Sequence, residues 1–255
     1  MSDIIKGADA LSMLNDEGGN DGGNDKDWAQ FKVGSSYTVK VVGTNDFFAF
    51  YSYGIYSKGG GGVNSFVAKN PSKKTEKGFP VENLTSWDKA FLYHRELSKE
   101  FGDHHSTEAY KYKPELRYAM GFFDLDSGER IVIDVSKKQA QTLRATIVKF
   151  EKKISKIAFT VEKATGGAVS LTPVIDMDED LTDKQRENFG KAPEEFNIED
   201  FHGILYESEE EEMVEALKRV GFDVSLIGLG STEPDGGESE ADPIEGEVSE
   251  SDLPF

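Results

Sequence analysis

Residues 46–57, "DFFAFYSYGIYS", carry six aromatic side chains, and lysines follow at Lys58, Lys69, Lys73, Lys74 and Lys77. A second stretch, "YKYKPELRY" at residues 110–118, interleaves Tyr110, Tyr112 and Tyr118 with Lys111, Lys113 and Arg117. Rings of this kind stack on unpaired bases at about 1–3 kcal/mol per base, while neighbouring cations neutralise phosphates. Together they would bind a single nucleic-acid strand with little regard for its sequence. On strand alternation Phe48, Phe50 and Tyr56 share one face, and Phe47, Tyr51, Tyr53 and Ile55 share the other. A strand in a small domain buries one face, so the second aromatic set is left for a ligand. The candidates for bases are therefore Phe48, Phe50, Tyr51, Tyr53, Tyr56, Tyr110, Tyr112 and the nearby Trp87. A purely structural reading competes with this one: both faces are covered, one by the core and one by a helix or the acidic C-terminal segment.

Other chemistries find less support. His104 and His105 are adjacent, so they point apart on a strand, and no other His or Cys cluster joins them; they read as surface loop residues. Asp176, Asp178, Asp180 and Glu187 sit at calcium-loop offsets, but Leu181 stands where that loop needs glycine, which favours a helix start. The "GGGG" at residues 59–62 is not followed by the Gly-Lys-Ser/Thr of a phosphate-binding loop. A magnesium-dependent nuclease built on Asp124, Asp126 and Asp134 lacks an evident base or further ligand. With no cysteine there is no disulfide, thiolate zinc site or cysteine nucleophile. The chain reads as non-catalytic, without cofactor or metal.

These residues need a scaffold, and the patterning predicts one that is mainly β with helical additions. Residues 35–43 alternate Tyr37, Val39 and Val41 as a strand, and the aromatic run continues as a second extended segment. Ser86 is placed to cap a helix with Trp87, Ala90, Phe91, His94, Leu97 and Phe101 on one side and Gly102 as its stop. Residues 116–135 form two strand-like runs around Asp126-Ser127-Gly128, a hairpin signal. Ser136 and Gln139 make a capping box for a helix with the stripe Ala140, Leu143, Ile147 and Phe150. A second hairpin turns at residues 165–167, and Thr182/Gln185 and Ser208/Glu211 open two further helices.

Charge is divided unevenly along this order. Residues 1–25 carry a net −5, residues 26–173 a net +7 and residues 174–255 a net −21, so the total of −19 hides a basic body. A basic body with acidic ends can bind a polyanion and be regulated by its own ends. Four segments follow: a flexible stretch at 1–27, a strand-rich core at 28–175, an acidic helical extension at 176–230 that docks on or near the core, and a disordered tail at 231–255. From Ser231 onward nine acids and three prolines face no basic residue, a composition that cannot bury a core. No apolar run approaches the roughly 20 residues needed to cross a bilayer, and the first residues lack a signal-peptide pattern; this points to the cytoplasm.

The tail closes on Asp252, Leu253, Pro254 and Phe255. An apolar hook beside a free carboxylate on an acidic tether suits a partner pocket that is greasy inside and basic at its rim. The sequence Ser251-Asp252-Leu253-Pro254-Phe255 resembles the Asp-Asp-Ile-Pro-Phe tip of bacterial single-stranded DNA-binding proteins, with Leu for Ile and Ser for the first Asp. The body, over about residues 30–175, is similar instead to the single-stranded DNA-binding proteins of tailed bacteriophages: "TVEKATGG" followed by Thr172-Pro173 matches their closing hairpin. The resemblance implies an OB-fold-like β-barrel core that coats single-stranded DNA in replication, recombination and repair, in the host cytoplasm if phage-encoded. It further implies a tail that recruits replication and recombination proteins and competes with DNA, and it leaves room for self-association. Some of those relatives hold zinc with Cys and His, a feature the cysteine-free chain cannot share. The alternative is an interaction adaptor whose aromatic face binds protein rather than DNA.

Overall fold

The computed structural model of the chain describes residues 28–56 and 61–230. Lys58 and the tip residues Asp252, Leu253, Pro254 and Phe255 lie outside the described residues, as do the expected flexible start and acidic tail. In chain order the elements are β1 (Ser36–Lys40), β2 (Phe47–Ile55), β3 (Val63–Ala68), β4 (Lys73–Lys74), β5 (Pro80–Glu82), α1 (Ser86–Leu97), α2 (His104–Tyr112), β6 (Glu115–Asp124) and β7 (Arg130–Ser136). After these come α3 (Lys137–Lys149), β8 (Phe159–Lys163), β9 (Val169–Pro173), α4 (Met177–Asp180), α5 (Asp183–Lys191), β10 (Glu207–Ser208) and α6 (Glu210–Arg219). Strands and helices thus mix in a sheet-rich chain. No described helix is long and apolar enough to cross a membrane.

The described elements form two compact units, each discontinuous in sequence: residues 28–52 with Glu115–Tyr206, and Tyr53–Pro114 with residues 207–230. The chain leaves the first unit inside β2 and re-enters it at β6. The continuous core expected over 28–175 is therefore interrupted by an insertion, and the stretch 176–230 is shared between the units.

In the first unit β6 is the hub. One of its edges pairs with β2, from Phe47↔Met120 to Ser52↔Glu115, and then with β1 at Val39↔Asp124; the other edge pairs with β7 from Arg117↔Ser136 to Phe123↔Arg130. β1 continues to β8 and β8 to β9, all antiparallel. Among the described residues β7 and β9 do not pair, so the sheet stays open and the closed barrel is not formed. Alternation sends Met120 and Phe122 inward, where Val39, Val41, Ile133, Val135, Phe159, Val161 and Leu171 complete a core. Helix α3 closes that core with Ala140, Leu143 and Ile147, spaced by three and four residues so that they share one face. Each large apolar side chain so buried contributes about 1.5–3 kcal/mol. Its start is the expected capping box: Ser136 Oγ accepts from the Gln139 N–H, and Gln139 Oε1 accepts from the Ser136 N–H at 2.9 Å.

Both predicted hairpins form. Between β6 and β7 the Asp124 carboxylate accepts from the Ser127 hydroxyl at 2.6 Å and its N–H at 3.0 Å, and Gly128 takes φ +83°, which a side chain would resist.

The second unit departs from expectation at its helix ends. α1 is capped by Thr85 rather than Ser86, because Asp88 stands three residues after Thr85 and completes the box. α6 starts one residue late, on Glu209 with Glu212, since Ser208 is drawn into the parallel pairing of β10 with β3. α2 was not foreseen: its buried side is Ser106, Ala109 and Tyr112, with no aliphatic stripe to reveal it. Asp103 caps it, accepting from the Ser106 N–H at 2.6 Å, and the backbone N–H groups gathered there hold its carboxyl well below the usual range.

Candidate nucleic-acid interface

The second unit turns much of the aromatic set inward. Trp87 is 0% exposed and its Nε1 donates to the Met213 carbonyl at 2.9 Å, so it is a core residue and not a base platform. Tyr53 is 2% exposed, stacks on Phe66 with ring centroids 5.6 Å apart, and donates its hydroxyl to Asp88 Oδ1 at 2.9 Å. Burial and the Asp88 charge push its phenol upward. Tyr112 is 3% exposed among Trp87, His94 and Phe222, and burial raises its hydroxyl to about 12. Tyr53 lies on a strand, where alternation identifies two faces but not which of them is covered, while Trp87 and Tyr112 fill the buried sides of α1 and α2.

Two rings remain presented, Tyr56 at 87% and Tyr110 at 67% exposure, the latter with the Lys113 ammonium 5.5 Å over its ring. Several of the expected cations have acidic neighbours of their own. Lys69 pairs with Glu209, Lys73 with Glu82 at 3.1 Å, and Lys111 with Glu108 at 2.6 Å. Lys74 tucks its ammonium against Ser72 Oγ at 2.8 Å, where burial lowers its basicity. Lys77 is exposed. His105, read as a loop residue, lies on α2 with its Nδ1 3.0 Å from that of His94. Burial first, and then the neighbouring His105, hold His94 below the ordinary histidine range.

In the first unit the structural reading of the aromatic strand prevails. Phe48 and Phe50 are half-buried on the outer face of the sheet, with ring centroids 6.0 Å apart and Trp28 5.9 Å from Phe50. Ala119 and Val132 lie on the same face, and the cover is supplied by Phe196 and Phe201 from the acidic segment. Tyr51 is half-buried opposite Leu116. Arg117 forms a two-pronged pair with Asp134 at 3.0 and 2.9 Å, a strong internal partner for a guanidinium.

The strongest free charge lies where the aromatic motifs did not direct attention. Lys137, Lys138, Arg144 and Lys149 on α3, with Lys152, Lys153 and Lys156 in the turn after it, are all exposed. Within residues 137–156 these seven cations face only Glu151. None of them forms an ion pair among the described residues. The buried stripe of α3 forces its polar positions outward, so the cations cannot retreat from solvent. The patch also has rings at its edge. Phe47 and Tyr118 are half-buried with centroids 6.4 Å apart, and the Arg144 guanidinium stands 5.9 Å over Phe47. Local charge density over twenty residues was the sequence signal for this patch.

No protein-family model, curated protein or solved structure matches the chain significantly.

Proposed function

We propose that the chain is a non-catalytic binder of single-stranded DNA, engaged through the first unit. The observation that carries this reading is the cluster of seven exposed, unpaired cations on and after α3, with Arg144 joining it to the Phe47 and Tyr118 rings. Unpaired ammonium groups at such density repel one another, and a phosphate chain relieves the repulsion while releasing its counterions. Arg144 and the two rings give an unpaired base a place to stack beside the phosphate track.

The strand order supports the reading at the level of fold. β7, β6, β1, β8 and β9 follow one another, with α3 in the connection between β7 and β8. This is the order of a five-stranded Greek-key OB core left open between its last two edges, a scaffold suited to oligonucleotides. In this proposal the protein coats single strands during replication, recombination and repair, and Asp252, Leu253, Pro254 and Phe255 recruit partner proteins.

The test is a salt titration of binding to fluorescent poly(dT), comparing the intact chain with a Lys152→Glu/Lys153→Glu/Lys156→Glu variant. Each lost phosphate contact on a single strand reduces the slope of log K against log salt by about 0.7, so the variant loses about 2 from its slope and binds weakly. Equal affinity of the intact chain for duplex, or no binding at low salt, overturns the proposal; the latter leaves the adaptor reading in its place.

A further inference from the structure

Residues 193–204 cross the outer face of the first unit's sheet. Phe196 and Phe201 are both buried there, with ring centroids 5.5 Å apart and planes 15° from parallel. They rest on Ala119 and Val132 and beside Trp28, Phe48 and Phe50. Gly121 makes the seat possible: a Cβ on it would fall 2.2 Å from Phe196 Cε1. The Arg130 guanidinium stands 5.9 Å over Phe196 and 5.3 Å over Phe201, and donates to Asp200 Oδ2 at 3.1 Å. Glu194, Glu195 and Asp200 are exposed on the same segment.

Two stacked rings and carboxylates at intervals along the backbone imitate the bases and phosphates that two neighbouring nucleotides would present to this face and to the Arg130 cation on it. Residues 198–204 form a short 3-10 helix, at whose start the Asp200 N–H donates to the Asn197 carbonyl at 3.3 Å and Asn197 Nδ2 donates to Asp200 Oδ1 at 3.0 Å. The segment's hold on the sheet includes apolar side chains, the half-exposed Arg130–Asp200 pair and the attraction between Glu194 and Lys40 of β1. Among the described residues no backbone ladder ties it to the sheet. What lifting it uncovers is aromatic surface that a base could cover again.

We propose that residues 193–204 are a built-in competitor: Phe196, Phe201 and their flanking carboxylates occupy a base-stacking face of Trp28, Phe48, Phe50 and Arg130, and a single strand must displace them to bind in full. The inference rests on the single-strand reading and adds a regulatory element to it. A competitor seated nine-tenths of the time weakens apparent binding about tenfold.

The experiment exploits the absence of native cysteine. An Arg130→Cys/Asp200→Cys protein is bound to fluorescent oligo(dT) before and after bridging by a short bis-maleimide linker, which adds each thiol across a C=C bond, with the bridge verified by peptide mapping. A Phe196→Ala/Phe201→Ala protein is measured beside the wild type. The proposal expects the bridged form to bind at least tenfold more weakly than the same protein unbridged, and the double alanine variant to bind about tenfold more tightly than wild type. Trp28 lies on the uncovered face, so its emission is quenched by DNA in the alanine variant. Equal affinities for the bridged and unbridged forms overturn the competitor, whatever the alanine variant does. If the Lys152→Glu/Lys153→Glu/Lys156→Glu protein still loses binding in that case, the single-strand reading stands without it. Absence of binding by every form overturns both.

Discussion

Gly121 offers the sharpest test of how the acidic segment is seated. It lies within β6 and shows no left-handed φ, so its backbone would accept alanine. In a strand that exchange is ordinarily favourable by about 0.5–1 kcal/mol. Here the added Cβ would meet Phe196 at 2.2 Å from Cε1 and 2.5 Å from Cζ, deep inside contact distance. Gly121→Ala therefore forces the ring out, and overpacking of this kind costs about 1–3 kcal/mol. Phe196→Ala alone removes a buried ring at about 3 kcal/mol, the lower end of the range for such truncations because the residue sits over a face and not in the central core. If the two effects were independent the double variant would lose about 5 kcal/mol. If they meet at one contact, the second substitution costs nothing once the ring is gone, and the coupling is about 2 kcal/mol. Urea unfolding followed through Trp28 measures this: with a slope near 2 kcal/mol per molar, the coupling moves the midpoint by about 1 M. Additive losses in the double variant would refute the seating of Phe196 over Gly121.

Three further outcomes follow from single contacts. Asp88 is fully buried and accepts from Tyr53 at 2.9 Å, Thr85 Oγ1 at 2.8 Å and the Thr85 N–H at 3.2 Å, so Asp88→Ala strands several donors and costs more than about 3 kcal/mol, read from Trp87 fluorescence in urea. Ser136→Ala removes the cap of α3 and destabilises the first unit by about 1 kcal/mol, with Ser136→Gly milder, both visible in Trp28 unfolding. His94 is held neutral by burial and by His105, so the unfolded chain binds its proton more readily than the folded one. Its contribution is complete above the ordinary histidine range and is lost as pH falls from about 6.5 toward its depressed folded value; His94→Phe should flatten that part of the stability profile measured by Trp87.

Much of the scaffold was legible because its signals are local. A capping box such as Ser136 with Gln139 needs four consecutive residues, and the turn at Gly128 needs a short polar run before it. The site was less legible because access is a tertiary property. "DFFAFYSYGIYS" announces rings on two faces, yet only the fold places Phe48 and Phe50 under Phe196 and Phe201, about 150 residues away, and Tyr53 against Trp87. Charges mislead in the same manner. Lys69, Lys73, Lys111 and Arg117 stand out in sequence but find carboxylates in space, while the seven cations of residues 137–156 find none among the described residues.

That contrast determines where a polyanion would gain most. Displacing the Arg117–Asp134 pair to reach phosphate exchanges one charge-assisted contact for another and leaves a carboxylate beside the strand. Contact at Lys152, Lys153 or Lys156 exchanges only water and mobile counterions, so nearly the whole counterion release is retained. On the proposed reading a net charge of −19 does not prevent DNA binding, because long-range repulsion is screened within about 8–10 Å at ordinary ionic strength while the patch acts at contact. The same reasoning makes placement of the acids decisive. Residues 174–255 carry a net −21, and the part of them between 193 and 204 already lies over the first unit's sheet with its rings inserted. On the proposed reading, affinity for a single strand should then depend less on the number of cations than on the fraction of time residues 193–204 are in place.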